Sequence, residues 1–171
     1  MSYSLRLLKG VCFSLGLSLL IAYLMVSFTS RFEFTSGDEA LFYIFVNAPS
    51  EELMFRFAVP LVIMYILKTG YLMAGIVSSF LFGIAHYWAY HANTMMIVTA
   101  IMGGVVYTLT VYLFSNRDPF NFEPGLLAAM IGHALYNTVI TYVPNEVFYI
   151  SMICLGILVI LHVGYRGNLN D

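Results

Sequence analysis

Two adjacent glutamates and an arginine, Glu51, Glu52 and Arg56, stand in "APSEELMFRF" between the apolar runs "LFYIFVNA" and "AVPLVIMYIL". Three further polar groups lie in equally apolar surroundings: His86, which closes "FGIAH", and His133 and Asn137, which bracket "HALYN". Glu52 and Arg56 are four residues apart, so in a helix they share a face and can pair. Glu51 is turned about 100° from Glu52 and is left to be presented for chemistry. His133 and Asn137 share a face by the same spacing, and Phe82 lies one turn before His86. A carboxylate beside a histidine can act as general base on a water, and a second histidine with an asparagine can donate hydrogen bonds to an oxyanion. Together these groups are the equipment for amide hydrolysis. Glu51, His86 and His133 are also legitimate zinc-ligand types. A charged Glu52–Arg56 pair and an asparagine nonetheless suit water and oxyanion better, so no cofactor is expected and zinc is the alternative. No HExxH motif is present, and Ser78 and Ser79 have no base at suitable spacing.

The plainer readings are these. A lone buried histidine is often a packing residue, and Glu52–Arg56 alone would serve as a structural pair. Cys12 and Cys154 sit inside apolar runs, without metal or redox spacing, and read as buried thiols. His91 reads as a loop residue and His162 as the end of a helix. Glu51 resists such a reading most, because a second adjacent carboxylate has no structural need.

The elements that must position these groups belong to a membrane protein. Of 171 residues, 61% are hydrophobic and 9% charged, and mean hydropathy is +0.87; a soluble domain carries about 25% charged residues. The net charge of −2 and the lack of a basic stripe or phosphate loop leave no foothold for nucleic acid or nucleotide. A spanning helix needs about 20 apolar residues, and six segments qualify: roughly 8–28, 41–67, 71–90, 94–114, 124–142 and 146–164. The expected fold is therefore an all-α, polytopic membrane bundle forming a single domain over 1–171, with its core at about 41–142. The second segment is too long for one span. Pro49 predicts a break there, with "LFYIFVN" as a separate or re-entrant piece and Asn47 or Ser50 capping the helix that follows. Gly75, Ser79 and Gly83 form a small-residue ridge for close helix packing. With both termini in the cytoplasm, Arg6, Lys9, Lys68, Arg117 and Arg166 fall inside and only Arg31 outside, beside Glu33, Asp38 and Glu39. Trp88, Tyr87 and Tyr90 fit an interfacial belt. Counted along the spans, Glu51, His86 and Asn137 reach similar depth in the outer half of the bilayer, with His133 close to the midplane.

The three motifs E-E-x-x-x-R (Glu51, Glu52, Arg56), F-x-x-x-H (Phe82, His86) and H-x-x-x-N (His133, Asn137) resemble, in order, the signature of the CAAX protease and bacteriocin-processing family. These are glutamate-dependent intramembrane endopeptidases, also called the abortive-infection family. The resemblance implies that Glu51 and His86 activate the attacking water and that His133 and Asn137 stabilise the oxyanion. Glu52 and Arg56 would orient the site. It further implies a bacterial inner-membrane protein acting on a membrane-anchored or exported peptide, such as one with a C-terminal sorting tail. Some relatives are linked to bacteriocin immunity, so a non-catalytic immunity or peptide-binding protein is the alternative. A proton-coupled transporter would use similar buried groups, but the inverted repeat expected of one is missing from the sequence.

Overall fold

The computed structural model describes residues 2–26, 37–87, 93–115 and 123–167. Arg31, Glu33, Trp88, Tyr90, His91 and Arg117, which carry parts of the charge and belt readings, lie outside these residues. Among the described residues there are six helices and no strand. They are α1 (Tyr3–Val26), α2 (37–67), α3 (Tyr71–Ala85), α4 (Thr94–Phe114), α5 (Gly125–Tyr142) and α6 (Val147–Gly167), with a 3₁₀ turn at Pro144–Glu146 before the last. This is the all-α membrane bundle that the composition predicts. Tyr3–Met25 and Thr94–Phe114 are each long and apolar enough to cross a membrane alone, and α2 with α3 forms a third apolar unit bent by 119°. The remaining segments fall short for physical reasons. Residues 147–162 make a shorter apolar helix, and α5 carries His133 and Asn137 along its length.

Local chemistry accounts for most of the boundaries. Asn93 caps α4, its side-chain oxygen accepting from the backbone N–H groups of Met95 and Met96 at 3.1 and 3.2 Å, which satisfies donors that a helix start leaves open. At the end of α2, Lys68 adopts a left-handed conformation (φ 50°, ψ 37°) that stops the helix and turns the chain into α3. The exposed large side chains, such as Phe45, Tyr65 and Ile160, face outward, as the lipid-facing surface of a bundle requires.

The expectation of a break at Pro49 is overturned. Helix α2 is continuous from 37 to 67, but it contains two wide π turns, Tyr43–Asn47 and Met54–Ala58. Pro49 and Pro60 each follow a wide turn by two residues. A proline in a helix lacks an N–H, and its ring clashes with the carbonyl four residues back. Widening the turn relieves that clash without ending the helix. Accordingly, the Ala48 N–H bonds to the Tyr43 carbonyl and the Val59 N–H to the Met54 carbonyl, five residues back in each case. Neither Asn47 nor Ser50 acts as a cap. Asn47 donates to Glu51, and the Ser50 hydroxyl donates to the Val46 carbonyl at 2.7 Å.

The helices pack around three apolar clusters. Leu15, Leu19, Val139 and Val147 join α1, α5 and α6. Tyr107, Val111 and Ala129 join α4 and α5. Phe55, Phe82 and Ala100 join α2, α3 and α4. Helices α1 and α6 run antiparallel: Tyr23 stacks near Phe148 (4.9 Å between rings), and the Ser151 hydroxyl donates to the Gly16 carbonyl at 2.8 Å. The small-residue ridge of α3 is a packing surface, as expected. A side chain on Gly75 would run into Thr108 of α4, and the Thr108 hydroxyl instead reaches the Gly75 carbonyl at 3.1 Å.

Candidate active site

The segment between the two wide turns, Ala48–Leu53, holds both glutamates. Their surroundings differ sharply. Glu52 is fully buried, whereas the Glu51 side chain retains 17% exposure. Glu52 Oε2 lies 3.3 Å from Arg56 Nε, an ion pair rather than an aligned hydrogen bond. Its other oxygen, Oε1, lies 2.8 Å from His133 Nδ1 on α5. The guanidinium of Arg56 is likewise fully buried; it sits 5.0 Å over the Phe82 ring and donates from Nη1 to the Phe55 carbonyl at 3.1 Å. So the pair predicted from four-residue spacing does more than neutralise itself. It grips a histidine 81 residues away.

Glu51 faces three partners. Asn47, one turn earlier, donates to Oε1 at 2.7 Å. His86 Nε2 lies 3.4 Å from Oε1, and His133 Nε2 lies 3.9 Å from Oε2. Helix α3 ends at Ala85, so His86 occupies its C-terminal cap, and its Nδ1 lies 2.7 Å from the Phe82 carbonyl. A carbonyl only accepts, so Nδ1 carries a proton there, and in the neutral ring Nε2 is left as an acceptor. His133 Nδ1 likewise lies 2.8 Å from Glu52 Oε1, so a neutral His133 that donates there also leaves Nε2 as the acceptor. Both imidazoles turn an Nε2 towards Glu51, and the three side chains converge on one small space.

Aromatic rings form the walls. Phe82 packs on His86 with 4.4 Å between ring centres, and Tyr107 of α4 stacks on His133 at 4.9 Å and 18°. Asn137 is one turn beyond His133, and its amide donates to the Tyr43 carbonyl at 3.5 Å, in the first wide turn. Among the described residues that is its hydrogen bond, and it does not reach Glu51. Ser78 and Ser79 are buried donors to the Phe55 and Gly75 carbonyls, which fits the absence of a nucleophile setting.

A family model for the Rce1-like type II CAAX prenyl endopeptidases matches residues 39–139. The chain belongs to this family. The match begins within α2, ends within α5, and contains Glu51, Glu52, Arg56, Phe82, His86, His133 and Asn137, leaving α1 and α6 outside it. No curated protein and no solved structure matches the chain. Membership of a family of CAAX-type membrane proteases agrees with the apolar helices in making this an integral membrane protein. Although Glu51, His86 and His133 converge, no group of three or more His, Cys, Asp or Glu among the described residues has the spacing to hold a metal ion.

Two neighbours of the site are not among the site residues expected from the sequence. Asn47 has a legible signal, because it precedes Glu51 by four residues, but reading it as a cap passes over that spacing. Tyr107 has none: it is a tyrosine in an apolar helix, and only the packing of α4 on α5 brings it to His133. His162, on α6, is exposed and stands apart from the cluster.

Proposed function

We propose that the protein is a metal-independent intramembrane endopeptidase in which Glu51 and His86 activate water. The observation that supports this most directly is the convergence of the Glu51 carboxylate with Nε2 of His86 and of His133, at 3.4 and 3.9 Å. Water held between Glu51 and His86 gives a proton to one of them as its oxygen adds to the scissile carbonyl carbon. The carbonyl electron pair moves to oxygen, and the resulting oxyanion lies beside His133 and Asn137. His133 donates from Nε2 only while its ring also keeps the Nδ1 proton, that is, as an imidazolium, with the Glu52 carboxylate as its counter-ion. Asn137 exchanges its long hydrogen bond to Tyr43 for one to the oxyanion. Collapse of the intermediate breaks the C–N bond, and the stored proton passes to the departing amine.

The substrate in this reading is a membrane-anchored or exported peptide, such as one with a C-terminal sorting tail. The protein lies in a bacterial inner membrane with both termini in the cytoplasm and the site in the outer half. The loop charges support that orientation, and the antiparallel pairing of α1 and α6 supports the narrower point that the two ends share one side. The test compares the membrane proteome of cells carrying the wild type, Glu51→Gln or His86→Ala. Processed products that depend on the wild type are expected to vanish in both variants, and purified protein dialysed against a chelator is expected to keep cleaving them. Cleavage that survives both substitutions refutes the assignment, and loss of activity on chelation restored by zinc refutes its metal independence.

A further inference from the structure

The second wide turn of α2 leaves backbone groups stranded in the middle of the bundle. The Val59 N–H is taken by the Met54 carbonyl, and residue 60 is proline, so the Phe55 carbonyl has neither a four-residue nor a five-residue helical donor. Arg56 loses its ordinary donor to the same proline. A buried carbonyl without a donor is costly, and α3 supplies the missing partners. The hydroxyl of Ser78, itself fully buried, donates to the Phe55 carbonyl at 2.6 Å, and the hydroxyl of Tyr71 donates to the Arg56 carbonyl at 2.9 Å. The Phe55 oxygen also accepts from Arg56 Nη1. An uninterrupted line of contacts therefore runs from Ser78 through the Phe55 carbonyl to the Arg56 guanidinium, then to Glu52, then to His133 Nδ1.

We propose that Ser78 and Tyr71 are positioning residues of the glutamate site. Their hydroxyls hold open the wide turn that Pro60 imposes and so aim Arg56, and through it Glu52, at His133. Gly104 on α4 belongs to the same arrangement, because a side chain there would come within 3.1 Å of Arg56 Nη2 and 3.0 Å of Ser79 Cβ. Neither hydroxyl touches the space between Glu51 and the imidazoles. Both act through the backbone of α2.

This inference rests on the glutamate-site reading, and its test is read on a histidine rather than on turnover. Protein labelled with ¹⁵N-histidine is reconstituted in lipid nanodiscs, the four histidines are assigned by single substitution, and the His133 Nδ1 resonance is followed at constant pH. Ser78→Ala and Tyr71→Phe are each expected to move that resonance away from its wild-type position. Thr99→Ala, which removes a hydroxyl bonded only to the Met95 carbonyl of its own helix, is expected to leave it in place. If Ser78→Ala does not fold, Tyr71→Phe decides alone. An unmoved His133 resonance in the folded variants overturns the proposal, and so does an equal shift in Thr99→Ala. Proteolysis that survives Glu51→Gln would instead refute the site reading while leaving a moved resonance unexplained by catalysis, so the two failures are distinct.

Discussion

At the scale of single residues, two neighbouring carboxylates have been given opposite tasks by burial. Glu52 is closed off between a guanidinium and an imidazole, and removing one partner of a buried ion pair typically costs about 3–5 kcal/mol. Glu52→Gln is therefore expected to lower thermal stability in detergent by that order. Glu51→Gln removes a charge from a partly open position and is expected to change stability by less than about 1 kcal/mol. Thermal unfolding of the two variants, measured side by side, checks the contrast; equal losses would show that Glu51 is a structural charge. The Glu52–Arg56 pair is legible in the sequence because helical spacing alone places the two groups together. The bond from Glu52 to His133 is not, since it depends on how α2 and α5 pack. Asn47 shows a third case, in which a four-residue spacing identical to that of the ion pair competes with a capping preference for the same side chain.

At the scale of the helix, α2 shows why a proline in an apolar run is ambiguous. The local rule allows it to begin a helix or to widen a turn within one. At Pro60 the carbonyls of Phe55 and Arg56 find their partners elsewhere in the chain, in the hydroxyls of Ser78 and Tyr71. The hint that sequence does contain is the second proline, Pro60, in an equally apolar stretch. Proline in a helix interior is about 3 kcal/mol less favourable than alanine, so Pro60→Ala removes the local reason for the wide turn. The wide turn would then be free to close, rotating everything before it by up to about 100° and carrying Glu51 and Glu52 away from His133. The expected result is cleavage lost together with a lowered melting temperature, because closing the turn separates Glu52 from its buried partner on α5. A variant that loses stability and keeps cleaving would show that the wide turn does not orient the site.

At the scale of the whole molecule, composition reveals the membrane class and the helical architecture, because 9% charge leaves no other solvent for so apolar a chain. Six apolar segments correspond to six helices, but which of them cross the bilayer unaided is a matter of length and of buried polar cargo, which hydropathy alone blurs. The antiparallel contact of α1 with α6 predicts that the two ends share a side, and the loop charges lead to the expectation that this side is the cytoplasm. Green fluorescent protein fused to either end is expected to fluoresce in cells, and alkaline phosphatase at either end to be inactive. An active phosphatase at one end alone would contradict the shared-side arrangement. The same contact bears on how freely the chain order can be rewritten. Helices α1 and α6 lie outside the family match and beside each other, so the polypeptide is close to a ring that happens to be cut between two neighbours. Joining its ends with a short linker and opening it at the Lys68–Gly70 bend gives a circular permutant that keeps both wide turns uncut and leaves Glu51, His86, His133 and Asn137 away from the new ends.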